Sequence, residues 1–184
     1  MTIPAPLSTE STVLVVIDFQ ERLFPVMQEK EKLLRSTVKL IKGTRVLEIP
    51  VVLTEQYPKG LGPTIPEIKE LLPDVTPVEK VCFSCCDSQA FSNTLAALKR
   101  KQVIICGIEA HICVYQTAMA LARQGYEVQV ASDCIASREP ENKTVALTKM
   151  VALGISPTSA EMALFELLKI AQGDKFKQIS NIVK

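Results

Sequence analysis

Six short apolar runs punctuate the chain, and the stretches between them repeat their apolar positions at helical spacing. Val13 to Ile17, Ile49 to Thr54, Val78 to Phe83, Gln102 to Gly107, Tyr126 to Ala131 and Ile155 to Thr158 read as strands. Val103-Ile104-Ile105-Cys106 is apolar at every position, as a strand covered on both faces requires. Leu34, Val38 and Ile41 mark a first helix running to about Glu48, and Ile65 to Leu72 a short one. Phe91, Leu95 and Leu98 mark the next, followed by Val114 to Gln124. Pro140 suits the first turn of a helix continued by Ala146, Met150 and Leu153; Ala160 to Ala171 and Asp174 to Val183 follow. Strand and helix alternate with no internal repeat and no domain-sized linker. The prediction is a single α/β domain over residues 1–184: a doubly wound, Rossmann-like, six-stranded parallel sheet, order 3-2-1-4-5-6, with helices on both faces.

Chemistry gathers where strands end. The first run delivers Asp18, and the fourth runs through Gly107 into Cys113 at the start of a helix. In the expected strand order the first and fourth strands are neighbours at the switch point, so Asp18 and Cys113 face one crevice. Unpaired amides and the positive dipole end at a helix start favour a thiolate, and a carboxylate beside a thiol can take its proton. The amides around Cys113 would form an oxyanion hole, each donor contributing about 2.7 kcal/mol or more. A small apolar core cysteine is the bland alternative. Asp133, at the expected end of the fifth strand, is a rival base or a loop cap. Lys80 lies inside the third strand, either as an edge residue with its ammonium in water or as a partner of Cys113. The loop Thr54 to Thr64, rich in Pro and Gly, puts Gln56 and Tyr57 where a ligand crevice opens.

Composition narrows the partners. Lysine plus arginine number 21 against 20 aspartates and glutamates, with no basic run, so neither nucleic acid nor an anionic membrane is expected. The first twelve residues carry no basic-then-apolar leader and no run reaches membrane-spanning length, which predicts a soluble cytoplasmic protein acting on a small molecule. Six cysteines read as reduced thiols. Cys82, Cys85 and Cys86 raise zinc, but the sole histidine is His111, and the Cys82-x-x-Cys85 redox reading lacks a second signature. No metal and no cofactor is expected; G-x-G-x-x-G, the P-loop and G-x-S-x-G are all missing.

Asp18 with Gln20 behind it, Lys80 upstream of Phe83-Ser84, and Gly107 to Val114 together resemble the isochorismatase-like cysteine hydrolase family over nearly the whole chain. The Thr54 to Thr64 loop and Gly107-Ile108-Glu109-Ala110 resemble its isochorismatase domain-containing branch. The resemblance implies Cys113 as nucleophile, Asp18 as base and Lys80 as the thiolate's partner. It also implies a cis peptide at Ile108-Glu109 that aims the Glu109 and Cys113 amides into one oxyanion hole. Gln20, Phe24, Gln56, Tyr57 and Ile108 are then candidates for the substrate pocket. Nicotinamidases of this family hold a metal through an aspartate and two histidines, which one histidine cannot supply, and isochorismatases proper lack the cysteine. What the resemblance leaves is C-N bond hydrolysis of a small amide through a thioester, with a catalytically idle interaction protein as the alternative. Family members commonly form dimers, tetramers or larger assemblies, and the face of Met119 and the apolar C-terminal segments are candidate subunit contacts.

Overall fold

A computed structural model describes residues 5–184. Its six strands are β1 (Thr12–Ile17), β2 (Val51–Gln56), β3 (Val78–Lys80), β4 (Gln102–Ile108), β5 (Glu127–Ala136) and β6 (Ser156–Thr158), all parallel, in the order β3-β2-β1-β4-β5-β6. The helices are α1 (Lys30–Val46), α2 (Pro58–Leu61), α3 (Pro66–Lys69), α4 (Gln89–Ala97), α5 (Tyr115–Arg123), α6 (Pro140–Ala152), α7 (Ala160–Leu168) and α8 (Gly173–Val183). The order and the single α/β domain are those the pattern predicts.

The two-residue period of the strands divides the core in two. Leu14, Val16, Ile104 and Cys106 point toward α1, α7 and α8, where Leu40, Ile41, Leu164 and Ile179 meet them. Val13, Val15, Val103 and Ile105 point the other way, onto Phe91 of α4, Leu121 of α5 and Met150 of α6. Serine caps start two of the helices: Ser88 accepts from the Phe91 amide, and Ser159 from the Met162 amide. Apolar residues of α8 face inward, Ile179 fully buried and Ile182 and Val183 packed on the core. Those C-terminal side chains are therefore committed within the chain and are not spare for subunit contacts.

The boundaries differ from the sequence pattern at the sheet's edges. β3 stops at Lys80, leaving Val81 and Phe83 exposed, and the Thr54 to Thr64 loop holds the single turn α2. β5 runs on to Ala136. Its partners jump from Ile105 paired with Val130 to Gly107 paired with Ile135, so the polar Ser132-Asp133 pair marks a bulge inside the strand rather than its end.

At Gly107 the β4 backbone lies tight against Ile17 of β1. The Gly107 φ is +146°, and a Cβ there would sit 2.4 Å from the Ile17 carbonyl oxygen. Gly107→Ala should lower the unfolding free energy by at least about 2 kcal/mol through overpacking and backbone strain. Gly154→Ala, with nothing within 4 Å, should cost about 1 kcal/mol. Urea unfolding of both variants checks the ranking.

Candidate active site

Three strand ends converge at the carboxyl edge of β1. Asp18 follows β1 directly in the left-handed region, φ 55°, a conformation aspartate tolerates better than most residues. Parallel pairing sets Ile17 beside Thr54 and Gln56 beside Lys80. The Thr54 hydroxyl donates to Asp18 Oδ1 at 2.7 Å. From the far side, Lys80 Nζ donates to Asp18 Oδ2 at 2.7 Å and to Gln56 Oε1 at 2.7 Å, and lies 3.3 Å from the Cys82 carbonyl oxygen. The Asp18 and Lys80 side chains are both fully buried. Burial alone would lower the Lys80 ammonium, but Asp18, with smaller help from Cys85 and Cys113, holds it above its ordinary value.

Cys113 reaches this pair from β4. The Ile108-Glu109 peptide is cis, and Ala110 to Val114 form one π turn before α5, closed by the Val114 amide on the Glu109 carbonyl at 3.3 Å. Cys113 Sγ lies 3.9 Å from Lys80 Nζ. Burial and the Asp18 charge push this thiol up, with Lys80 pulling the other way. Burial and the carboxylate thus oppose the thiolate that the helix dipole and the ammonium favour.

Side chains of the cysteine's turn are tied to the end of β5. Glu109 Oε2 accepts from the Arg138 amide at 3.0 Å and from Arg138 Nε at 3.1 Å, and His111 Nδ1 shares a hydrogen bond with Ser137 Oγ at 2.9 Å. Asp133, the rival base, lies elsewhere. Its Oδ1 accepts the Ala160 amide at 2.9 Å, so it anchors the start of α7.

The pocket candidates separate. Gln56 touches Lys80, and Tyr57, 54% exposed, walls a cleft of about 540 Å³ together with Lys80, Cys82 and Asp87. Gln20 is fully buried with its amide engaged: Nε2 donates to the Gln56 and Gly62 carbonyls, and Oε1 accepts the Gln56 amide. It staples the β2 loop and is not free to meet a substrate. Phe24 stacks at 6.3 Å on Phe19 against the α1 core, and Ile108 is fully buried in that same core, on the opposite face of the sheet from Cys113. Neither lines the cleft at Lys80, and both side chains contribute to packing. Two further members went unpredicted: Thr54, and Cys85, whose thiol lies 4.0 Å from the Thr54 hydroxyl. Cys82 and Cys85 both carry free thiols. Among the described residues no three His, Cys, Asp or Glu side chains converge on a metal position, and no helix is long and apolar enough to cross a membrane.

Comparison with known proteins places this geometry. Residues 12–162 match the model of the isochorismatase domain. Isochorismatase domain-containing protein 2 of Danio rerio is 34% identical over 177 residues, covering 96% of this chain and 89% of that protein. The MAR1 ribonuclease structure from Caenorhabditis elegans superposes with a TM-score of 0.92 at 33% identity, over 97% of this chain and 92% of that one. The YcaC gene product of Escherichia coli, described as an octameric hydrolase of unknown specificity, superposes with a TM-score of 0.93 at 21% identity, over 99% and 91% of the two chains.

Buried thiols give the fold an alkaline limit. Burial pushes Cys85 up to about 12 and Cys86 up to about 11, and raises Cys106 and Cys134 as well as Cys113. Unfolded thiols release their protons near pH 8.5 while the folded ones hold them, so stability is intact below that pH and falls as pH rises toward the folded values. Each thiol contributes up to about 1.4 kcal/mol per pH unit. Urea unfolding under reducing conditions should show a loss of several kcal/mol between pH 7.5 and 9.5, with a shallower slope in Cys106→Ala.

Proposed function

The chain belongs to the isochorismatase domain family, which supports a hydrolase-type function, and on that premise we propose that it is a cysteine hydrolase cleaving the C-N bond of a small amide-type substrate. Cys113 Sγ attacks the carbonyl carbon as its proton passes to Asp18, whose carboxylate shares the Lys80 ammonium with the sulfur. The carbonyl oxygen becomes an oxyanion facing the Glu109 and Cys113 amides. Asp18 returns the proton to the departing nitrogen, the C-N bond breaks, and a thioester remains on Cys113. Water then adds to the thioester with its proton going to Asp18, and collapse releases the carboxylic acid and restores the thiol. Lys80 keeps its charge throughout, steadying the carboxylate in one half-cycle and the sulfur in the other.

The observation that carries this reading is a single buried ammonium 2.7 Å from a carboxylate oxygen and 3.9 Å from a sulfur. Tyr57, in the wall of the adjoining cleft, is the residue we assign to substrate contact, with Gln56 behind it holding Lys80. A charge balance of 21 to 20 favours a small substrate over RNA, although the C. elegans relative is named a ribonuclease. One observation favours the idle alternative: Cys113 is only 6% exposed and does not line the cleft that reaches Lys80. Six free thiols support a reducing, cytoplasmic setting.

A panel of small amides, with RNA as a separate arm, tests the proposal. Release of amine or ammonia should fall at least about 10³-fold in Cys113→Ala and in Asp18→Asn, and hydroxylamine should trap the acyl group from the wild type. Activity surviving in Cys113→Ala, or RNA cleavage alone, overturns it; no turnover of any substrate favours the idle scaffold.

We also infer that copies of the chain associate. Val81 is 78% exposed and Phe83 56% beside the cleft, and Met162 and Ile170 are 63% and 57% exposed on the opposite helical layer. The octameric description of the E. coli protein supports an assembly of this kind. Light scattering should give a multiple of 20.2 kDa, and a monomer at micromolar concentration would sink this inference.

A further inference from the structure

β1 pairs with β2 no further than Ile17 beside Thr54, whereas β2 runs on to Gln56, so no strand neighbour meets the Gln56 peptide groups on that side. Gln20 fills the place with its side chain. Its Oε1 accepts the Gln56 amide at 2.7 Å, and its Nε2 donates to the Gln56 carbonyl at 2.9 Å and to the Gly62 carbonyl at 2.7 Å. A side-chain amide carries the donor and the acceptor of a peptide group, so Gln20 stands in for the strand residue that β1 lacks. It is 0% exposed, and both of its N-H groups are taken.

Gln56 passes that support to Lys80. Its Nε2 donates to the Val81 carbonyl at 2.8 Å, which leaves its Oε1 turned toward Lys80 Nζ at 2.7 Å. On the β3 side the Tyr57 amide donates to the Lys80 carbonyl at 2.8 Å, so the two strands are locked at this level. An ammonium has three protons, and Lys80 spends them on two short bonds, to Asp18 and to Gln56, and a longer one to the Cys82 carbonyl at 3.3 Å. Asp18 and Gln20 stand two residues apart. One short segment therefore sets both short bonds, the first through the Asp18 carboxylate and the second through Gln20 and Gln56.

We propose that Gln20 is a positioning residue for the Lys80 ammonium: by pinning Gln56 it fixes the station of that charge between the Asp18 carboxylate and the Cys113 sulfur. Its effect on turnover rests on the reading of Cys113 as nucleophile; its effect on Lys80 does not. Arg22 provides the contrast. Its Nη1 donates to the Gly60 carbonyl at 2.7 Å, tying down the same loop four residues beyond Gln56. Loss of Arg22 loosens the loop alone, whereas loss of Gln20 also releases the residue that holds the ammonium.

Cyanate, which carbamylates only neutral amines, tests this on the full chain, because Lys80 lines the cleft and each modified lysine can be identified by peptide mass spectrometry. Lys80 is held above its ordinary value, and removing an acceptor of its charged form lowers it. Between pH 7 and 11 the rate profile of Lys80 should therefore move to lower pH in Gln20→Ala and in Gln56→Leu, with modification at pH 8 at least tenfold faster than in the wild type. Because Gln20 acts through Gln56, the double variant should match Gln56→Leu within twofold. Arg22→Ala should stay within twofold of the wild type. Should Gln20→Ala fail to fold, Gln20→Met, of nearly the same length, serves in its place. An unmoved Lys80 profile in the Gln20 variant, additive effects in the double variant, or an equal shift in Arg22→Ala overturns the proposal. None of these readouts needs turnover, so a failure here is distinct from a failure of the hydrolase reading.

Discussion

A fully buried ion pair between Asp18 and Lys80 is the constraint around which the carboxyl edge of the sheet is arranged. Taking two charges out of water costs several kcal/mol per ion, and their mutual attraction offsets this only where the remaining lone pairs and protons are also satisfied. Here they are. Thr54 supplies the second bond to the carboxylate, and Gln56 and the Cys82 carbonyl receive the ammonium. Deleting either charge alone would strand the other, a loss of about 3 to 5 kcal/mol. A pair of this kind is weak support for stability by itself, since apolar residues of the same size would often do as well. Its presence beside a thiol fits the chemistry proposed for Cys113.

That view changes what activation of Cys113 means. Burial and the neighbouring carboxylate raise the thiol and the ammonium lowers it. Under the proposed mechanism the cysteine becomes a nucleophile only as its proton passes to Asp18, so its reactivity would be coupled to the presence of a substrate carbonyl. The tethers from β5 fit this picture. Arg138 and Ser137 hold the Glu109 and His111 side chains and so fix the turn that carries Cys113.

How far the sequence predicts this arrangement varies residue by residue. Asp18 and Cys113 stand out because each follows an unbroken apolar run, and parallel order alone brings the ends of β1 and β4 together. Lys80 belongs to a strand of three residues, too short for any alternation to say where its ammonium points; only the family resemblance singled it out. Thr54 could have been found by the reasoning that found Asp18, since each stands at the carboxyl end of a neighbouring parallel strand. Arg138 and Ser137 could not, because Ser132-Asp133 reads as a strand's end and conceals the bulge that carries β5 onward. Gln20, Phe24 and Ile108 lie outside the cleft at Lys80 for a common reason. A residue next to a motif is as often a prop for it as a part of it, and only coordinates tell the two apart.

The chain order of the three grouped side chains has a bearing on synthesis. Asp18 leaves the ribosome first, Lys80 some sixty residues later, and Cys113 last, with β4 the final strand needed to wedge against β1. Until that wedge is driven home the nascent protein carries a solvated acid and a solvated amine, and its sulfur stands apart from both. The buried cluster therefore assembles in one step, late, and only in a polypeptide whose centre has already closed.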